Sequence, residues 1–163
     1  EADWIGTVCE PVKHLREQLV EQYKPYPVDV MHCAISDYDG WLDMAVARDD
    51  GSWLSGASHV KSDHHIGYRL SEHPDRDGDY EQTERVPCMT LDKLLADHTK
   101  VDFLKIDAEC HEINILLNYS FRVKPNLIKV EHKMVDDKIL RRKLQTNGYL
   151  VWTEKDDIYG LLK

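Results

Sequence analysis

Short apolar runs alternate along this chain with polar segments, and their spacing switches between two periods. Trp4 to Cys9 (WIGTVC) is an apolar run of strand length. Glu10 ends it, and Pro11 suits the first position of a helix, where an N–H would have no partner. Val12, Leu15, Leu19 and Tyr23 then recur at helical spacing, which predicts an amphipathic helix over 11–23, stopped by Pro25 and Pro27. Residues 28–35 (VDVMHCAI) predict a strand, 37–40 (DYDG) a turn with Gly40 free to take positive φ, and 41–47 (WLDMAVA) an alternating antiparallel or edge strand. Residues 48–84 are polar and rich in Gly, Ser, Asp and His, and predict a long loop that is functional or mobile. The pattern then resumes with a short strand, RVPCM at 85–89, and a small helix, TLDKLLADH, capped by Thr90. A strand VDFLKID (101–107), a helix starting near Glu109 and a strand NLIKVEH (126–132) follow. A helix over 136–146 ends at Gly148, and YLVWTEK with IYGLLK form a closing hairpin.

Strands alternating with helices imply a parallel sheet covered on both faces, and the hairpin adds an antiparallel edge. The expectation is one Rossmann-like α/β domain over 1–163. Ligands in such sheets bind outside the carboxyl ends of the strands. The residues at those ends are Glu10, the group Cys33, Ala34, Ile35 and Ser36, then Asp107 with Glu109, and Glu131 with His132. The run VDFLKID therefore drives a buried strand straight into an acidic cluster at the ligand edge.

Composition narrows the classes of function. The chain has 163 residues, 42% hydrophobic and 31% charged, with a net charge of −9. That sign argues against general binding to nucleic acid or to an anionic membrane, because both need a cationic footprint. No apolar run approaches the roughly 20 residues of a membrane span. The opening EADWIGTVCEP lacks the basic start and apolar core of a secretory signal. Cys9, Cys33, Cys88 and Cys110 form no CxxC pair and sit in or beside apolar runs. The expected setting is reducing and cytoplasmic.

Glu10 has two readings. An acidic residue at the tip of a second strand accepts hydrogen bonds from both ribose hydroxyls of an adenine cofactor. Alternatively it is a helix-start charge favoured by the helix dipole.

The segments VPCMTLDKLL, VDFLKIDAECHEINILL and KPNLIKVEH resemble the FkbM-type S-adenosylmethionine-dependent methyltransferases. The family pattern there is Thr-Leu-Asp before a helix, then a strand ending Lys-Ile-Asp-x-Glu-Gly-x-Glu, then a strand ending in Glu. CEP at 9–11 is similar to its Phe-Glu-Pro, and HCAISDYDG at 32–40 to its segment after the third strand. Two departures stand out. Cys110 replaces the usual Gly, and the Gly-rich loop that cradles the methionine end of the cofactor has no counterpart before Glu10. The family's first strand would lie between those ending at Glu10 and Asp107, so the expectation is a domain lacking its first strand and Gly-rich loop, as in a fragment of a longer protein.

The resemblance implies methyl transfer from S-adenosylmethionine to a hydroxyl on a small molecule or carbohydrate. Glu10 would hold the ribose, and Ala34, Ile35 and Ser36 would line the adenine pocket. Asp107 and Glu109 would lie under the methionine part or the acceptor. Asp107 and His132 are the catalytic candidates, and His111 is either a base or a packing histidine. The 48–84 segment would act as a lid or acceptor-recognition segment. Asp107, Glu131 and His132 make a workable divalent-metal set, or else simple polar decoration of the cleft. His59, Asp63, His64 and His65 read as a solvated loop rather than a zinc site. The alternative of another class is a non-catalytic Rossmann-like binding module that has lost its cofactor loop.

Overall fold

The computed structural model describes residues 4–47, 58–61 and 80–163. In chain order its elements are β1 (Gly6–Cys9), α1 (Lys13–Tyr23), β2 (Val28–Met31), β3 (Ala34–Ser36), β4 (Gly40–Ala47) and β5 (His59–Val60). They continue as β6 (Tyr80–Thr90), α2 (Leu91–Leu94), β7 (Phe103–Ile106), α3 (Glu112–Asn118), β8 (Leu127–Glu131), α4 (Asp137–Thr146), β9 (Tyr149–Glu154) and β10 (Asp157–Leu162).

The fold is mixed α/β, as the alternation of periods implies. The strands do not form the single, mainly parallel sheet that was expected. Among the described residues they make three hydrogen-bonded sheets, with orders β1-β2, β7-β8-β10-β9 and β3-β6-β4-β5. The expected strand over 28–35 divides at His32 and Cys33. Its first part pairs parallel with β1 and its second part parallel with β6. The expected loop over 48–84 contains β5, flanked by Ser58 and Lys61, and the first half of β6; residues 48–57 and 62–79 lie outside the described residues. The ladder with β4 explains this: β6 pairs antiparallel with β4 as far back as Tyr80, so long-range hydrogen bonds order a polar stretch with no strand-like pattern of its own.

The C-terminal half carries the larger core. Alternation along β8 buries Ile128 and Val130 on one face, against Ile113 and Leu116 of α3 and Leu140 and Leu144 of α4. Asp136 caps α4 by accepting the Lys138 N–H at 3.0 Å, and Gly148, at φ 97°, closes it. The expected hairpin forms, with β10 rather than β9 beside β8. A smaller core joins Val12, Ala34, Leu42, Met44, Val86 and Cys88. No helix among the described residues is long and apolar enough to cross a membrane.

One opening in this arrangement positions the site. Among the described residues β1 pairs only with β2, and β7 only with β8. A cavity of about 1720 Å³ lies between β1 and β7 and is lined along both strands.

Candidate functional site

Each strand delivers its last residues to this cavity. At the tip of β1, Glu10 is half-buried, and its Oε1 accepts the Val12 N–H at 2.8 Å across the start of α1. Burial pushes the carboxyl above its ordinary range, against the pull of that N–H. Ala34 and Ile35 of β3 line the same cavity.

At the tip of β7 the chain turns sharply. Glu109 and Cys110 take φ of 46° and 84°, a left-handed conformation that glycine adopts without strain and other residues rarely do. Cys110 thus stands where the backbone favours Gly. The turn is held by Glu112, whose Oε1 accepts the Ala108 N–H at 2.8 Å while its side chain is 1% exposed. Burial pushes the Glu112 carboxyl up to about 7. The turn also places Asp107 and Glu109 beside Glu131 of β8, with one carboxylate oxygen from each within 4.8 Å of the others. Burial, and then the charges of Asp107 and Glu109, push Glu131 up to about 7. Lys105 balances the group in part, 2.9 Å from Asp107. Such a cluster holds a proton near neutral pH, or faces a cation.

Glu10, Ala34, Ile35, Asp107 and Glu109 therefore share one cavity, together with His111. Ser36 and His132 do not line it. Ser36 is buried, donates to Asp37 Oδ1 at 3.0 Å and lies 3.1 Å from His111 Nε2. The His132 backbone N–H binds Asp156 O at 2.8 Å, and its ring Nε2 is buried with no partner among the described residues. The carboxylate trio that assembles is Asp107, Glu109 and Glu131, in place of the set with His132. His59 lies on β5, while Asp63, His64 and His65 lie outside the described residues.

Two features escaped the sequence reading. The Ser36–His111 contact joins residues 75 apart, so no local spacing could reveal it. The burial of Glu112 carried a weak signal, since a Glu four residues after Ala108 at a helix start can reach back to a free N–H.

A family model described as the methyltransferase FkbM domain matches residues 1–151. No curated protein and no solved structure matches the chain.

Proposed function

The chain belongs to the FkbM methyltransferase domain family, and from that membership we propose that it transfers a methyl group from S-adenosylmethionine to a hydroxyl of a small-molecule or carbohydrate acceptor, on a Rossmann-like scaffold. The observation that carries this reading is the convergence of Glu10 after β1, Ala34 and Ile35 of β3, and Asp107 and Glu109 after β7 on one cavity.

The residues present suit the cofactor in chemistry. Glu10 Oε1 already accepts one N–H and keeps a second lone pair, and Oε2 remains for a ribose hydroxyl. Ala34 and Ile35 offer the apolar wall an adenine needs. Glu10, Asp107 and Glu109 give the cavity a negative potential that suits a sulfonium cation. When bound, S-adenosylmethionine supplies a methyl already made electrophilic by the sulfonium. The protein then contributes alignment of the acceptor hydroxyl and a place for its proton. We assign that proton to Asp107, which lines the cavity. Its neighbour Glu131, with a carboxyl pushed up to about 7, can hold it at neutral pH. His132, which does not line the cavity, is the weaker candidate.

Titration calorimetry of the full-length protein with S-adenosylmethionine tests this. Hydrogen bonds to a charged group are worth about 1.5–3 kcal/mol, so Glu10→Ala should weaken binding about tenfold to a hundredfold. The same change removes the Val12 N–H acceptor and should lower stability by about 1 kcal/mol. Glu10→Gln keeps that acceptor and should fall between in affinity with little loss of stability. Unchanged affinity in both variants would refute the ribose role and favour the non-catalytic binding module.

A further inference from the structure

Four cysteines lie among the described residues, and two of them meet. The parallel pairing of β1 with β2 sets Cys9 beside Met31, and the Glu10 N–H continues the ladder to Met31 O at 3.1 Å. Cys33 lies two residues beyond Met31, and its thiol shares a hydrogen bond with that of Cys9. His32 ties the same two segments together, its Nε2 lying 2.9 Å from Pro11 O. The other two thiols are elsewhere. Cys88 donates to Tyr38 O at 3.6 Å within the smaller core, and Cys110 belongs to the larger one.

The two thiols are not equivalent. Cys9 donates its S–H to the Cys33 sulfur. That hydrogen bond, together with burial, pushes the Cys9 thiol up, and it pulls Cys33 below the ordinary thiol range against the effect of burial. Cys33 is therefore the readier thiolate, and Cys9 stands as the partner able to resolve it once oxidised. Access separates them as well. Cys33 is 2% exposed, which shuts out a bulky oxidant, whereas Cys9 is half-buried and lines the cavity between β1 and β7, a way in for a small one. Each sulfur is also one residue from the walls of that cavity. Glu10 follows Cys9, Ala34 follows Cys33, and both line it.

We propose that Cys9 and Cys33 form a reversible disulfide, made by hydrogen peroxide and broken by a small thiol, and that this bond lowers the affinity of the adjoining cavity for S-adenosylmethionine. The Cys33 thiolate attacks one peroxide oxygen. The O–O bond breaks, and the departing hydroxide takes a proton to become water, leaving a sulfenic acid on Cys33. Cys9 then loses its S–H proton as its sulfur attacks that of Cys33, and the sulfenic hydroxyl leaves as a second water. Two thiols are oxidised to one disulfide, and peroxide is reduced to two waters. Thiol exchange reverses the bond. Drawing the sulfurs from contact to bonding distance shifts Glu10 against Ala34, so the ribose acceptor and the apolar wall no longer fit one ligand together. The coupling rests on the cofactor reading of the cavity; the disulfide rests on the two thiols alone.

Mass spectrometry of the full-length protein, treated with hydrogen peroxide, alkylated and digested, tests the bond. A peptide linked through Cys9 and Cys33 is expected, lost on adding dithiothreitol and absent in Cys33→Ser. Alkylated Cys9 and Cys33 after peroxide would overturn the proposal, as would a link through Cys88 or Cys110 in place of this pair. Titration calorimetry with S-adenosylmethionine reads the coupling. Oxidation should weaken binding about tenfold, dithiothreitol should restore it, and peroxide should leave the affinity of Cys33→Ser where it was. If Cys33→Ser fails to fold, Cys9→Ser, at a half-buried position, takes its place. A linked peptide with unchanged affinity would overturn the coupling. The two readings fail separately: a reduced protein that binds no S-adenosylmethionine would refute the cofactor reading and the coupling with it, while the linked peptide would still establish the disulfide.

Discussion

Replacing Glu112 with Gln should stabilise the protein, and more so as the pH rises. Glu112 is buried at the start of α3, 1% exposed, with Oε1 on the Ala108 N–H. Burial first, and then the charges of Glu131 and Asp107, raise its carboxyl from 4.5 to about 7. Between those values the folded protein binds a proton that the unfolded chain has released. Stability is therefore present at low pH and falls as pH rises through that interval. Gln reproduces the protonated acid: Oε1 still accepts from Ala108, and no charge is ever buried. At about 1.4 kcal/mol per pH unit, the interval sets the gain at about 3 kcal/mol at pH 8, shrinking to about 1 kcal/mol at pH 5. Urea unfolding followed by circular dichroism at both values measures it. An equal effect at pH 5 and pH 8, or a loss that deepens towards pH 8, would refute the argument that desolvation dominates this carboxyl.

Two further outcomes follow from backbone and packing. Cys110, at φ 84°, should tolerate Gly better than Ala: Cys110→Gly should be more stable than Cys110→Ala by about 1 kcal/mol in urea unfolding, and the opposite order would show that the turn carries no strain. A Cβ on Gly160 would lie 3.2 Å from Tyr149 Cδ1 and 3.4 Å from Leu144 Cδ1, both in fully buried side chains, so Gly160→Ala should lower stability by about 1–3 kcal/mol, and an unchanged melting temperature would count against tight packing there.

Local pattern carried most of the elements. Helical spacing of Val12, Leu15, Leu19 and Tyr23 led to α1, and the run VDFLKID to β7, because the period of the apolar residues is written along the chain itself; α1 holds no fully buried residue, and β7, expected as a buried strand, buries only Ile106. Strand ends could be read for the same reason. An apolar run must stop where solvent or ligand begins, so Glu10, Asp107 and Glu109 were nameable as rim residues before any pairing was known. The family resemblance rested on the same segments.

Pairing between distant segments was hidden, since hydrogen-bond ladders are a property of two strands and the chain shows one at a time. The split of 28–35 into β2 and β3, and the extension of β6 back into a polar stretch, depend on which edge each segment meets. Charge states were hidden too. Glu131 is an ordinary carboxylate by type; its proton affinity comes from burial and from two acids that the turn after β7 carries to it. Ser36 illustrates the same limit at the site. Its hydroxyl donates to Asp37 Oδ1 and lies 3.1 Å from His111 Nε2, and its place at a strand tip does not reveal the second of these neighbours. Proximity along the chain ranks residues by position, whereas solvation and electrostatics act through space, and only the packed molecule specifies those distances.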